Sequence, residues 1–60
     1  MSKADFVNVL KKNGLEAVEE NGVVIVLYEG GISKFKRVFG KARRLAKEYG
    51  YTNSMGARAK

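Results

Sequence analysis

Cysteine and histidine are both absent from this 60-residue chain, and each absence excludes particular kinds of functional site. Without cysteine the chain has neither disulfides nor thiolate metal ligands, and a cytoplasmic location is the default expectation. Without histidine it also lacks the commonest general base and the commonest zinc ligand. We therefore predict no metal site and no cofactor.

Long hydrophobic runs are absent as well. No apolar stretch approaches the roughly 20 residues of a transmembrane helix, and the N-terminus lacks the apolar region of a signal peptide. The opening Met1-Ser2-Lys3 is typical of a cytoplasmic protein. These features reinforce the expected cytoplasmic location and predict no membrane-spanning segment.

Catalytic constellations are also lacking. Glu19 and Glu20 are neighbours in a predicted strand, so they point to opposite faces and cannot act as a carboxylate pair. No serine stands in an arrangement with a base that would mark a nucleophile. Gly30-Gly31 is too short for a phosphate-binding loop and is interpreted as a turn. The chain is therefore expected not to be an enzyme and to have no catalytic residue and no small-molecule substrate.

Positive charge is what the chain has in excess, and one segment carries all of it. The chain has a net charge of +6 at pH 7. Residues 33–49 contain seven basic side chains and one acidic one, a net +6, so the remainder is neutral overall. Such a concentration is typical of a surface that binds a polyanion.

A short helix is predicted over residues 3–12. Ser2 can cap it, and its apolar residues recur at helical spacing. Gly14 can end it in the left-handed conformation, in which case Leu15 should fold back on Leu10.

A β-hairpin is predicted next. Asn21-Gly22 lies between two strand-like runs, which is the strongest short-range signal for a hairpin with a type I′ turn. The resulting register sets Glu20 opposite Val23. The second strand, Val23 to Tyr28, is apolar on both faces, and such a strand favours a central position covered on both sides.

A long basic helix is predicted over residues 33–50, with Ser33 as its N-cap and Gly50 as its stop. Its apolar residues fill an arc of roughly 120°, and basic residues occupy nearly everything else. The predicted fold is a small α+β domain over residues 1–50 with the order α-β-β-α, in which two helices pack on one face of an antiparallel β-hairpin. Residues 51–60 have no periodic pattern and are interpreted as a flexible basic tail.

The second helix carries nearly all the predicted binding residues. Lys34, Lys36 and Arg37 are predicted to lie in the first turn of this helix, where the helix dipole is already positive, so each cation costs roughly 0.3–1 kcal/mol of stability. That placement favours the binding of an anion at the helix start. The predicted nucleic-acid-binding residues are Ser33, Lys34, Lys36, Arg37, Lys41, Arg43, Arg44, Lys47 and Arg58.

Two stretches resemble known families. The stretch "DFVNVLKKNGLEAVEENG", residues 5–22, is similar to the opening of the small messenger-RNA-cleaving toxins of bacterial toxin–antitoxin pairs. That family resembles the double-stranded-RNA-binding fold and cleaves with a histidine in the second strand, where this chain has Val23-Val24-Ile25. Residues 31–34, leading into a basic helix, are also similar to the last helix of double-stranded-RNA-binding domains. Those domains have three strands, and here only two are predicted before the helix.

The leading hypothesis is a small, basic, non-enzymatic protein that binds nucleic acid, with duplex DNA slightly favoured over RNA. The first alternative is a protein-interaction module or inhibitor that docks on an acidic partner surface. A membrane-surface protein ranks last, because lipid binding would need the apolar stripe of the second helix that the core also needs. A homodimer is also predicted, in which Val23–Tyr28 pairs across a two-fold axis into a four-stranded sheet.

Overall fold

Two helices and a three-stranded mixed sheet make up the fold, as described by a computed structural model of all 60 residues. The chain order is α-β-β-α-β, and the sheet order is β1-β2-β3. The elements are α1 (Lys3–Lys12), β1 (Glu16–Glu20), β2 (Val23–Tyr28), α2 (Ile32–Tyr49) and β3 (Met55–Ala59). The predicted α+β class is confirmed, and the first four elements follow the predicted order; the fifth was not predicted.

Helix α1 begins and ends at the signals that the sequence predicts. The Ser2 hydroxyl accepts a hydrogen bond of 3.1 Å from the backbone N–H of Asp5, which satisfies one of the free donors at the helix start. At the other end Gly14 has φ +83°, and the Leu15 N–H donates to the Leu10 carbonyl at 3.0 Å. This folded-back stop turns the chain directly into β1.

The hairpin has the predicted turn and register. Asn21 (φ +52°) and Gly22 (φ +78°) both adopt positive φ, as a type I′ turn requires. Glu20 pairs with Val23, and the antiparallel register continues from there along both strands.

Helix α2 begins two residues earlier than predicted, with Gly31 rather than Ser33 as its N-cap. The N–H groups of Lys34 and Phe35 both donate to the Gly31 carbonyl, at 3.0 and 3.1 Å, so Ser33 already lies inside the first turn and makes no side-chain cap. Of the three cations expected in that turn, only Lys34 lies there. The dipole effect fades beyond the first turn, so Lys36 destabilises the helix much less than the sequence predicts.

The C-terminus of α2 repeats the stop seen in α1. Gly50 has φ +73°, and the Tyr51 N–H donates to the Ala46 carbonyl at 2.8 Å. This geometry drives the Tyr51 ring into the core, where it stacks on Phe6 with ring centroids 4.2 Å apart. The Tyr51 hydroxyl donates to the Ser54 carbonyl at 3.1 Å. Burial, with a smaller contribution from the charge of Glu19, raises the pKa of Tyr51.

The interpretation of residues 51–60 as a flexible tail is wrong for β3, which pairs in parallel with β2 from Val24↔Met55 to Tyr28↔Ala59. Helix α2 is the crossover that returns the chain to the same end of the sheet, as a parallel pair needs. Strand β2 thereby becomes the central strand, the position that its apolar sequence favours.

Both helices pack on one face of the sheet, as predicted. The buried core contains Phe6, Val7, Leu10, Ala17, Val24, Val26, Ala42, Leu45 and Tyr51, and no buried polar side chain. Neither helix combines the length and the apolar character needed to cross a lipid bilayer.

The opposite face of the sheet is not covered by any helix. Val18, Ile25 and Leu27 are half-buried there. Two ion pairs reach across β2 on this face to residues of β1: Arg58 of β3 pairs with Glu20, and Lys60, which directly follows β3, pairs with Glu16.

Both edges of β2 are hydrogen-bonded within one chain, to β1 and to β3. The predicted four-stranded sheet is therefore not what the structure shows. Pairing of two copies through β2 would require β3 to leave its place, because β3 occupies the edge that a second copy was expected to fill.

Candidate functional site

The outward side of α2 forms a continuous basic surface. Ala42 and Leu45 face the core, and residues at i, i+3, i+4 and i+7 on the opposite side of the helix are all exposed. We call this surface the basic face and define it as Ser33, Lys36, Arg37, Gly40, Arg43, Arg44 and Lys47. It unites six of the nine predicted binding residues.

The cations of the basic face are not neutralised within the chain. The structure contains two ion pairs, Arg58–Glu20 and Lys60–Glu16, and neither involves α2. Glu48 is the only acidic residue of the helix. Five positive side chains therefore share one exposed surface without a counter-charge from the protein, which is the arrangement that attracts a polyanion.

Lys34 lies on the flank of the basic face. Its side chain packs along Gly30, where a Cβ would come within 2.6 Å of the Lys34 Cγ. Gly30 has φ +116°, a conformation that favours glycine and makes this packing possible. Lys34 remains exposed and lies near one end of the basic face.

Lys41 has an internal partner. Its ammonium group donates a hydrogen bond of 2.8 Å to the carbonyl of Asn13, the C-cap residue of α1, and the side chain is half-buried. A lysine at a helix C-terminus satisfies an otherwise free carbonyl and complements the dipole. Lys41 therefore joins α2 to α1, which the sequence could not indicate because the partners are 28 residues apart.

We expect Lys41→Met to lower the free energy of unfolding by about 1–2 kcal/mol, because it keeps the aliphatic stem and removes the bond to Asn13. Lys36→Met makes the same change at an exposed position away from both helix ends and should alter stability by less than about 0.5 kcal/mol. Urea unfolding followed by circular dichroism measures both. Equal stability of the two variants would contradict a structural role for Lys41.

Arg58 lies away from the basic face. It is in register with Leu27 on the face of the sheet that the helices leave open, and its guanidinium binds the Glu20 carboxylate through two hydrogen bonds of 2.7 and 2.6 Å. These hydrogen bonds from Arg58 hold the pKa of Glu20 below its ordinary value. Arg58 is therefore engaged within the sheet and does not extend the surface of α2.

A shallow cleft borders the basic face, between α2 and the segment that leads into β3. Its volume is about 230 Å³, and it is lined by Arg43, Ala46, Lys47, Tyr51, Asn53 and Met55. The exposed Asn53 adds a side-chain amide beside two cations, so the cleft offers both hydrogen-bond donors and an acceptor. No local pattern in the sequence marks Asn53, because residues 51–60 lack the periodicity that would predict a structured segment.

Comparison with known proteins adds no relative: no protein-family model matches the chain, and neither a curated protein nor a solved structure matches it.

Proposed function

We propose that this protein is a non-enzymatic nucleic-acid-binding protein that contacts phosphates through the basic face. The observation that carries the proposal is the set of five unpaired cations on the outward side of one helix: Lys36, Arg37, Arg43, Arg44 and Lys47. Lys34 and Ser33 add a further cation and a hydroxyl group near the helix start. Lys41 and Arg58 are left out because both have partners within the chain.

The dimensions of α2 favour duplex DNA slightly over RNA. An α-helix with its side chains is about 10–12 Å across, and the major groove of B-DNA is about 12 Å wide. The 18 residues of α2 span about 27 Å, enough to bring cations to phosphates on both sides of the groove. The major groove of A-form RNA is too narrow and deep for side chains to read, so an RNA duplex would offer fewer contacts.

The apolar stripe of α2, which membrane binding would need, is packed within the protein. Leu45 is buried, and Phe35 packs edge-on against Tyr28 and stacks on Phe39. Membrane binding is therefore not proposed.

A salt titration tests the proposed function. Binding of fluorescently labelled duplex DNA, duplex RNA and single-stranded DNA is measured by anisotropy between low and physiological salt. We expect log Kd for B-DNA to rise with log salt concentration by about 0.9 for each phosphate contacted, or about 4.5 for five contacts. Absence of binding to all three probes at low salt would contradict the proposal and favour an acidic protein surface as the partner.

A further inference from the structure

Gly40 lies at the centre of the basic face. Lys36 and Arg37 precede it by one turn of α2, and Arg43 and Arg44 follow it by one turn, so four cations surround a position that has no side chain. The helix backbone is exposed at this point.

Nothing inside the protein requires a glycine here. A Cβ placed on Gly40 would meet no atom within 4 Å, and Gly40 has no positive φ. Of the other six glycines, four have positive φ and Gly31 is the N-cap of α2, whereas a Cβ on Gly56 would make an ordinary contact of 3.5 Å with Ile25 on the neighbouring strand.

The glycine also lowers stability. Glycine in a helix interior is markedly less favourable than alanine, and a 60-residue domain has little stability to lose. A residue that weakens its helix without helping the packing is expected where an external partner needs the space.

We infer that Gly40 is a contact point at which a backbone phosphate of the nucleic acid rests directly against α2, in the combined field of the four surrounding cations, which also pair with the phosphates on either side of it. This inference rests on the proposed function and specifies where on the basic face the closest approach occurs. A phosphodiester group is the ligand that fits, because its charge is opposite to that of its surroundings and its oxygens can accept hydrogen bonds from the guanidinium groups.

Adding a side chain at Gly40 would hold the phosphate away from all four cations at once. Lengthening one charge separation from about 4 to about 5.5 Å lowers its Coulomb energy by about a quarter. Because the same phosphate interacts with several cations, the loss is repeated, and we expect alanine to weaken binding about fivefold.

The experiment compares Gly40→Ala and Gly40→Lys with the wild-type protein, using the same duplex DNA at one low salt concentration. Thermal unfolding is measured in parallel. We expect Gly40→Ala to raise Tm, because alanine favours the helix, and to bind about fivefold more weakly. Gly40→Lys should also bind more weakly than wild type, although it adds a positive charge.

Asn8→Lys is the matched control for charge. Asn8 is exposed on α1, and its replacement adds the same single charge outside the basic face. We expect its affinity to equal or slightly exceed that of the wild type, since extra positive charge by itself favours binding to DNA.

The possible outcomes test the contact point at Gly40 separately from the proposed function. If wild-type protein binds DNA and Gly40→Lys binds more tightly, the basic face acts only through its total charge and the contact point is wrong. Equal binding by Gly40→Ala and wild type would also overturn the contact point and leave the proposed function standing. A wild-type protein that binds no nucleic acid at low salt would overturn both.

Discussion

Tyr51→Ala is expected to unfold the protein or to leave it with a small fraction of its stability. Tyr51 is 6% exposed and stacks on Phe6, which is fully buried. Truncation of a buried aromatic side chain to alanine costs about 3–5 kcal/mol. A domain of this length has a total stability of about 3–9 kcal/mol, so one such loss removes much or all of it.

Tyr49→Ala is the matched control. Tyr49 lies two residues earlier, in the last turn of α2, and is 49% exposed. Thermal unfolding followed by circular dichroism should show a low or absent transition for Tyr51→Ala and a transition near that of the wild type for Tyr49→Ala. If the two variants were equally stable, residues 51–60 would not be docked as the structure describes.

Neutralising part of the basic face is expected to weaken DNA binding by at least about a hundredfold at low salt, because three phosphate contacts are lost together. The variant replaces Lys36, Arg37 and Arg44 with glutamine. The slope of log Kd against log salt concentration should fall by about 2.7, since each contact contributes about 0.9. Thermal stability should remain close to that of the wild type, because all three side chains are exposed and none makes an ion pair.

The matched control replaces Lys3, Lys11 and Lys12 with glutamine. These residues lie on α1, and their loss lowers the net charge by the same three units. We expect the control to retain most of the affinity and the salt dependence of the wild-type protein. Equal weakening of binding by the two triple variants would mean that total charge, rather than the basic face, attracts the nucleic acid.

The sequence alone determined the elements whose signals are local. The bounds of α1, the turn at Asn21-Gly22 and the register of the hairpin all match the prediction, because caps, positive-φ turns and cross-strand pairs act over a few residues. The amphipathic pattern of α2 also predicts an exposed basic surface that contains Lys36, Arg37, Arg43, Arg44 and Lys47. The same pattern adds Lys41 to that surface, whereas the structure bonds Lys41 to Asn13.

Only the tertiary structure decided the place of the last ten residues. The strand "MGARA" is made of residues with little preference for strands, and it forms because β2 offers a free hydrogen-bonding edge and because the stop at Gly50 turns Tyr51 into the core. The sequence also does not indicate the partners of Lys41 and Arg58, because these partners lie 28 and 38 residues away along the chain. Periodicity in the sequence shows which face of a helix or strand is apolar. Contacts between distant segments depend instead on how those faces pack against one another. In this protein the packing gives Lys41 and Arg58 partners within the chain and leaves the other cations of α2 exposed.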